Sequence, residues 1–431
     1  MSWEFTLAVA AIVATAIVGL PIGHAMLGAS ILYLLLEQQD MSIAAEQVLR
    51  GLYGSYVLLA IPLFIFAADL MNIGSLSDRL LDFCRALVGR FRGGLGHVNV
   101  VSSLIFSGMS GSAIADAVGI GKIIIQLMTK DGKYPPAYAG AITAAAAIIG
   151  PIIPPSIPMV LYALVSDTSI GYLFLGGVGP GLILALLLMV MNAIQARRHD
   201  FPVEVPVPVR EMPRITLRAV PALLMPVILL VGIYGGITTP TEAAALAALY
   251  AFLISTFLYR SVSLRAAYET VCQSARSTAS VGILIAGALA FNYVVTVEQI
   301  PNEIRGALGD MQLDRVTFLL LVNVLLLVLG CLLEANAILL VIVPILLPTA
   351  VSLGVDPVHF GVVVVVNTMI GLATPPYGLL LFVVSGITKS PIGQTIRHLV
   401  PFLIIMIVGL AIITFVPGTV LWLPRLYGYG G

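Results

Sequence analysis

Two stretches of this sequence combine helix-breaking residues with oxygen donors in a way that suits an alkali cation. Gly150-Pro-Ile-Ile-Pro-Pro-Ser156 and Gly371-Leu-Ala-Thr-Pro-Pro-Tyr377 both lie inside long apolar runs. Proline has no N–H and clashes with the preceding turn, so carbonyls just upstream lose their helical partners. Freed carbonyls and helix C-terminal ends attract a hard cation, while exposed helix N-termini attract an anion. A hairpin with a small or polar tip precedes each break: Ser107-Gly-Met-Ser-Gly-Ser-Ala-Ile-Ala-Asp116 and Gly330-Cys-Leu-Leu-Glu-Ala-Asn336. Pairing each tip with its own break gives two expected Na+ sites. The first takes Ser107, Ser110 and Ser112 with the backbone at Gly150, Ile153 and Pro154. The second takes Glu334, Asn336, Gly371 and Thr374. Hydroxyl, amide and carbonyl oxygens need no deprotonation to coordinate, which fits Na+. Asp116, Pro155, Ser156 and Pro376 are the coupling or substrate candidates. Asp116 and Glu334 are acids within apolar segments, a functional signal by default. The competing readings are helix capping for Asp116 and water exposure for Glu334. No cofactor is expected beyond Na+ as coupling ion.

The elements that position these residues follow from composition. The 431 residues are 59% hydrophobic and 10% charged, with a mean hydropathy of +1.07, where an ordinary globular chain is about a quarter charged. No soluble fold could cover its surface with that remainder. Lys and Arg balance Asp and Glu at 21 each, which removes the electrostatic footprint of a nucleic-acid binder. Cys84, Cys272 and Cys331 are too dispersed for a disulfide framework or a zinc site. Charge-free runs recur from 5–36 to 399–424 and are continuously apolar rather than alternating, so the chain predicts an all-α polytopic membrane protein and not a barrel. The start lacks a basic n-region, and 5–36 is too long for a signal peptide, so it reads as one retained span.

Loop charges set the expected orientation. Basic clusters at Arg79–Arg92, Lys122–Lys133, Arg197–Arg218 and Arg260–Arg276 mark cytoplasmic loops. The loops 37–40, 167–169, 235–242 and 298–314 are poor in Lys and Arg. Nine crossings and two re-entrant hairpins, 93–130 from the cytoplasm and 315–350 from the other face, fit every loop. The N-terminus then falls inside and the C-terminus outside. The amphipathic segment 77–93 is expected along the cytoplasmic interface. Thr239-Pro-Thr-Glu242 reads as a capping box, with a structural role.

A shift of 221 residues superimposes Pro136 on Pro357, Gly140 on Gly361, Gly150 on Gly371, Pro154-Pro155 on Pro375-Pro376, Ser169 on Ser390 and Pro180 on Pro401, without a gap. On the loop-charge topology the two copies run in opposite directions, as in secondary transporters whose broken helices meet near the midplane. The expected organisation is N-terminal scaffold spans over 1–75, repeat 1 over 76–196, a linker with scaffold spans over 197–276, repeat 2 over 277–424 and a tail at 425–431.

These residues resemble a known family. The hairpin Ser107–Asp116, the block Gly150–Ser156, the stretch Gly236-Ile-Thr-Thr-Pro-Thr-Glu242 and Ala373-Thr-Pro-Pro-Tyr-Gly378 look like the DctM-like large membrane subunit of TRAP (tripartite ATP-independent periplasmic) transporters. The resemblance covers essentially the whole chain. It implies Na+-driven uptake of an organic acid across the bacterial inner membrane by an elevator movement. It also implies two partners, a small four-helix membrane subunit (DctQ-like) and a periplasmic binding protein (DctP-like). No four-helix region precedes the first span, so an unfused large subunit is expected. The second tip departs from a serine-rich pattern.

Two rivals are weaker. Gly108-Met-Ser110-Gly111 matches the GxSG of rhomboid-type proteases, which needs a histidine base within reach, and only His24 and His97 are placed for that. A channel also uses broken helices, but two inverted copies favour alternating access. Gly119-Ile-Gly-Lys122 is not a complete nucleotide-binding loop.

Overall fold

The computed structural model describes residues 2–73, 76–204, 206–208, 210–259, 262–310 and 314–431. Arg260, counted above with the basic loops, lies outside the described residues, as do 311–313 of the acidic loop and residue 75 at the first segment boundary. Among the described residues the chain is helical throughout, with one isolated bridge between Arg92 and Val203. Seven helices are long and apolar enough to cross a membrane, or eight counting Ser42–Gly54 with Tyr56–Met71, a pair bent by 74°. The all-α polytopic architecture is therefore as expected.

The broken helices form the centre. Pro136–Ala147 is followed after the first break by Ile157–Ser166, and Pro357–Gly371 is followed after the second by Leu379–Thr388. A 15-residue half reaches about 22 Å, short of a bilayer core of about 30 Å. Only the two halves together can span. Residues 137–147 and 358–371 are buried on every side. Each break contains a cis proline–proline bond, Pro154-Pro155 and Pro375-Pro376.

The recurring glycines have a packing reason. A Cβ on Gly361 would meet the Tyr162 ring at 2.5 Å, and one on Gly140 would meet Thr388 at 3.2 Å. The first half of each broken helix thus crosses closely over the second half of the other. In lipid, such close approach supplies the packing that the hydrophobic effect does not.

Hairpin 1 comprises Gly94–Ser110, Ala113–Val118 and Ile120–Thr129; hairpin 2 comprises Arg315–Leu332 and Ala335–Ser352. Their bases lie at opposite ends of the long helix Ile170–Arg198, whose 29 residues span about 43 Å. At its Arg198 end Arg92 pairs with Asp200, and Asn192 Nδ2 donates to the Gly93 carbonyl at 3.2 Å. At its other end Gly176 faces Val358, six residues past the end of hairpin 2, and Tyr172 packs on Tyr429 with ring centroids 4.8 Å apart. The hairpins enter from opposite ends, so the repeats are inverted. A buried asparagine stitches each to its own broken helix: Asn99 Nδ2 donates to Thr143 Oγ1 at 2.6 Å, and Asn367 Nδ2 to Asn323 Oδ1 at 2.7 Å. Leu76–Val88 precedes hairpin 1 as a separate helix where an interfacial one was expected. The capping box at Thr239 and Glu242 is present.

One expectation fails. The run 5–36 is not a single crossing but two helices, Trp3–Ile17 and Ile22–Leu36, turning at Gly19 to Pro21 and packed on each other. Ser2 N donates to Glu298 Oε2 at 3.0 Å, and Tyr33 Oη donates to Glu298 Oε1 at 2.8 Å. The N-terminus therefore lies at the same end as the loop 298–314, not the opposite one. Apolar length showed that the run enters the membrane, but only the turn and these contacts show that it comes back.

Candidate functional site

At the first tip the hydroxyls are divided among local partners. Gly111 takes a left-handed conformation (φ 58°), which ends Gly94–Ser110 and lets Ser112 cap the next helix, its Oγ accepting from Ala115 N at 3.4 Å. Ser110 Oγ donates to Asp116 Oδ1. Ser107 Oγ donates to the Leu104 carbonyl of its own helix. Asp116 is 1% exposed, and its Oδ2 has no hydrogen-bond partner among the described residues. A Cβ on Gly150 would collide with that oxygen. The capping reading of Asp116 does not describe this geometry, because Ser112 is the cap. An orphaned carboxylate oxygen buried beside a helix break is costly unless something compensates it.

The break behind it is also rich in unmet acceptors. Ser156 Oγ donates to the Pro151 carbonyl and accepts from Met159 N at 3.2 Å, capping Ile157–Ser166. The carbonyls of Gly150, Ile153, Pro154 and Pro155 accept no hydrogen bond among the described residues. A Cβ on Gly111 would lie 2.6 Å from the Pro155 carbonyl oxygen, so the hairpin tip presses directly on the break. Irregular backbone at this depth persists only where protein or a water-filled cavity accommodates it.

The second tip is more open. Gly330 and Gly371 touch backbone to backbone, and a Cβ on Gly371 would lie 2.6 Å from Gly330 Cα. Glu334 stands at the N-cap position of Ala335–Ser352 without making a capping bond, and accepts from Asn336 Nδ2 at 3.0 Å. Glu334 is exposed and lines the cavity described below. Thr374 Oγ1 donates to the Ile370 carbonyl at 2.8 Å. Pro376 and Tyr377 are exposed. The carbonyls of Ala373, Thr374, Pro375 and Pro376 accept no hydrogen bond among the described residues.

Both tips and both breaks meet in one cavity of about 500 Å³. Its walls include Ser110 and Ser112 from the first tip, Glu334 and Asn336 from the second, Pro151 from the first break and Tyr377 from the second. Asp116, Gly150 and Gly371 are not among its lining, and neither are Ser107, Ile153, Pro154, Pro155, Ser156, Thr374 and Pro376. Asp69 and Ser277 complete its wall. Asp69, on Ala60–Ile73, accepts from Ser274 Oγ at 2.6 Å across to Leu264–Val297. The charged side chains lining the cavity are Asp69 and Glu334, with no Lys or Arg. Asp69 is the residue that the sequence reading missed. The signal was a lone acid at position 69 in an otherwise charge-free stretch, 51–73.

Neither histidine considered as a protease base lines the cavity with Ser110. Ser110 is committed to Asp116, and His97 is 13 positions earlier on the same helix, about 20 Å away. His24 is exposed and lines no part of the cavity. Among the described residues no group of three or more His, Cys, Asp or Glu could hold a metal ion.

The family model for the DctM component of the tripartite ATP-independent periplasmic transporter matches residues 9–419. The sialic acid TRAP transporter large permease protein SiaM of Vibrio cholerae is 40% identical over 414 residues, covering 96% of each chain. The C4-dicarboxylate TRAP transporter large permease protein DctM of Pseudomonas aeruginosa is 43% identical over 373 residues, covering 86% of this chain and 87% of the relative. Among solved structures, the YdaH transporter of Alcanivorax borkumensis shares the fold with a TM-score of 0.63 at 17% identity, over 85% of this chain and 86% of that one.

Proposed function

The chain belongs to the DctM family, the large permease component of tripartite ATP-independent periplasmic transporters, and from that premise we propose that it imports a small organic acid by Na+ symport. The acid arrives on a periplasmic binding protein (DctP-like), and a small four-helix subunit (DctQ-like) completes the membrane part. The observation that carries the reading is the charge of the shared cavity. It holds two carboxylates and no basic side chain, so an anionic substrate would meet only like charge unless cations accompany it. The unmet carbonyls of the two breaks, the tip hydroxyls and the orphaned Asp116 oxygen are donors suited to a hard, weakly selective cation. Ser110, Ser112, Gly150, Ile153 and Pro154 would hold one Na+ with Asp116 behind them. Asn336, Glu334, Gly371 and Thr374 would hold the other. Bound Na+ supplies the countercharge that lets a carboxylate enter.

The hairpins and broken helices form the moving unit, and Ile22–Leu36, Ala60–Ile73 and Leu264–Val297 the fixed scaffold. In the bacterial inner membrane the basic ends face the cytoplasm. Both termini then face the periplasm, because the N-terminus is tied to Glu298 and the C-terminal Tyr429 packs on Tyr172 near the acidic loop 167–169.

Uptake into proteoliposomes carrying the complete three-part system tests this. Uptake should vanish without a Na+ gradient and rise more steeply than first order in Na+. Equal uptake driven by a proton gradient alone would overturn the coupling. Ser112→Ala and Thr374→Ala each remove one neutral oxygen, worth about 0.5–1.5 kcal/mol, and should raise the Na+ requirement about two- to tenfold. Wild-type Na+ curves for both would refute the site while leaving the transporter assignment standing.

A further inference from the structure

A second cavity lies well away from the first, at the base of hairpin 1. Its volume is about 310 Å³, and its lining is Phe91, Arg92, His97, Met189, Val190, Ala193 and Arg197. The lining is graded. Arg92 and Arg197 are exposed at the basic end, while Met189, Val190 and Ala193 lie one to two turns further into the apolar span. Met189 to Arg197 covers about 12 Å along the helix. Phe91, exposed, packs edge-on against His97 with ring centroids 6.1 Å apart. Arg92 has Asp200 as its carboxylate partner, whereas Arg197 forms no ion pair among the described residues. His97 is 5% exposed, and its Nδ1 has no hydrogen-bond partner among the described residues.

A metabolite in water would gain nothing from the apolar half, and a plain acyl chain nothing from the guanidinium rim. We propose that this cavity binds one anionic phospholipid of the cytoplasmic leaflet. The phosphate lies between Arg92 and Arg197, and the first carbons of the acyl region lie on Phe91, Met189 and Val190. Basic pockets between helices on the cytoplasmic side recognise such headgroups, and each cation near the surface contributes about 1 kcal/mol. Arg92 precedes the Gly93-Gly94 turn into hairpin 1, and Arg197 ends the long helix Ile170–Arg198. The lipid would therefore bridge the hairpin base to that helix. The inference concerns binding alone and does not depend on the transport reading.

Native mass spectrometry and thermal shift of the detergent-purified chain test it, with dioleoylphosphatidylglycerol against dioleoylphosphatidylcholine. Phosphatidylglycerol should be retained preferentially and raise the melting temperature. Arg197→Gln should weaken its retention about fivefold, Arg197→Lys should restore most of it, and Val190→Trp, which fills the apolar wall, should abolish it. Equal retention of both lipids would overturn the proposal. So would stabilisation by millimolar inorganic phosphate or glycerol 3-phosphate matching that by the lipid, which would mark a free-anion site. Wild-type retention in both Arg197→Gln and Val190→Trp would overturn it as well.

Discussion

The two repeats share a backbone plan and differ in how they load it with polar groups. In repeat 1 the acid is set back from the tip, buried, bonded by Ser110 and wedged against Gly150. In repeat 2 the acid stands at the tip itself, exposed to the cavity, and the space beside Gly371 is taken by the Gly330 backbone. Inverted repeats fix where helices break and meet, because close crossings such as Gly140 and Gly361 leave no alternative. They do not fix which side chain fills the space at each break. Under the transport reading, the first site is built to hold a cation and the second to greet one.

Orientation is the first point at which this comparison can fail, and the effect is all or none. A cysteine at Lys130, after hairpin 1, should react with a membrane-impermeant reagent only after permeabilisation. A cysteine at Asn302, before hairpin 2, should react in intact cells. Labelling of both from one side would break the inverted relation. Cysteine at Ser2 should behave like the one at Asn302, given its bond to Glu298.

The next difference is steric. Gly371→Ala would drive a methyl into the Gly330 backbone, which has nowhere to go, at a cost of about 3 kcal/mol or more. Transport should be lost, and the melting temperature should fall. Gly150→Ala would meet the end of the Asp116 side chain instead, which can rotate, so stability should fall less. A larger melting-temperature loss for Gly150→Ala would reverse the assignment of rigid and adaptable breaks.

The smallest effect separates the two acids. Asp116→Asn keeps shape but removes a charge-assisted contact worth about 1.5–3 kcal/mol, so the Na+ concentration for half-maximal uptake should rise about ten- to a hundredfold. Glu334→Gln changes an exposed group whose ion contacts are worth about 0–1 kcal/mol, and the rise should stay within about fivefold. Equal shifts would erase the distinction between a holding and a greeting site.

Much of this was legible in the residues because it is local or repetitive. Continuous apolar runs dictate helices in lipid, since every backbone group must be satisfied within its own segment. The 221-residue recurrence of Gly140, Gly150 and the proline pairs showed the repeat, because both copies must solve the same crossing and the same break, and the loop charges showed its inversion. Hairpin tips and breaks were found the same way. Asp116 was half visible: the sequence marked an intramembrane acid, while its burial and its bond from Ser110 came only from the structure.

What the sequence by itself determined is therefore the solvent, the helices, the two breaks and the family. Tertiary structure alone decided three further things. It folded 5–36 back on itself, bringing Ser2 to Glu298 across 296 positions of chain. It brought Asp69 to the cavity beside two tips that lie far from it in sequence. It also made one repeat's acid dry and the other's wet. The reason is the same in each case. Hydropathy and helix-breaking act through neighbours along the chain, so they can be read from it. Burial, charge balance in a cavity and the return of a chain to its starting face depend on contacts that no local period encodes.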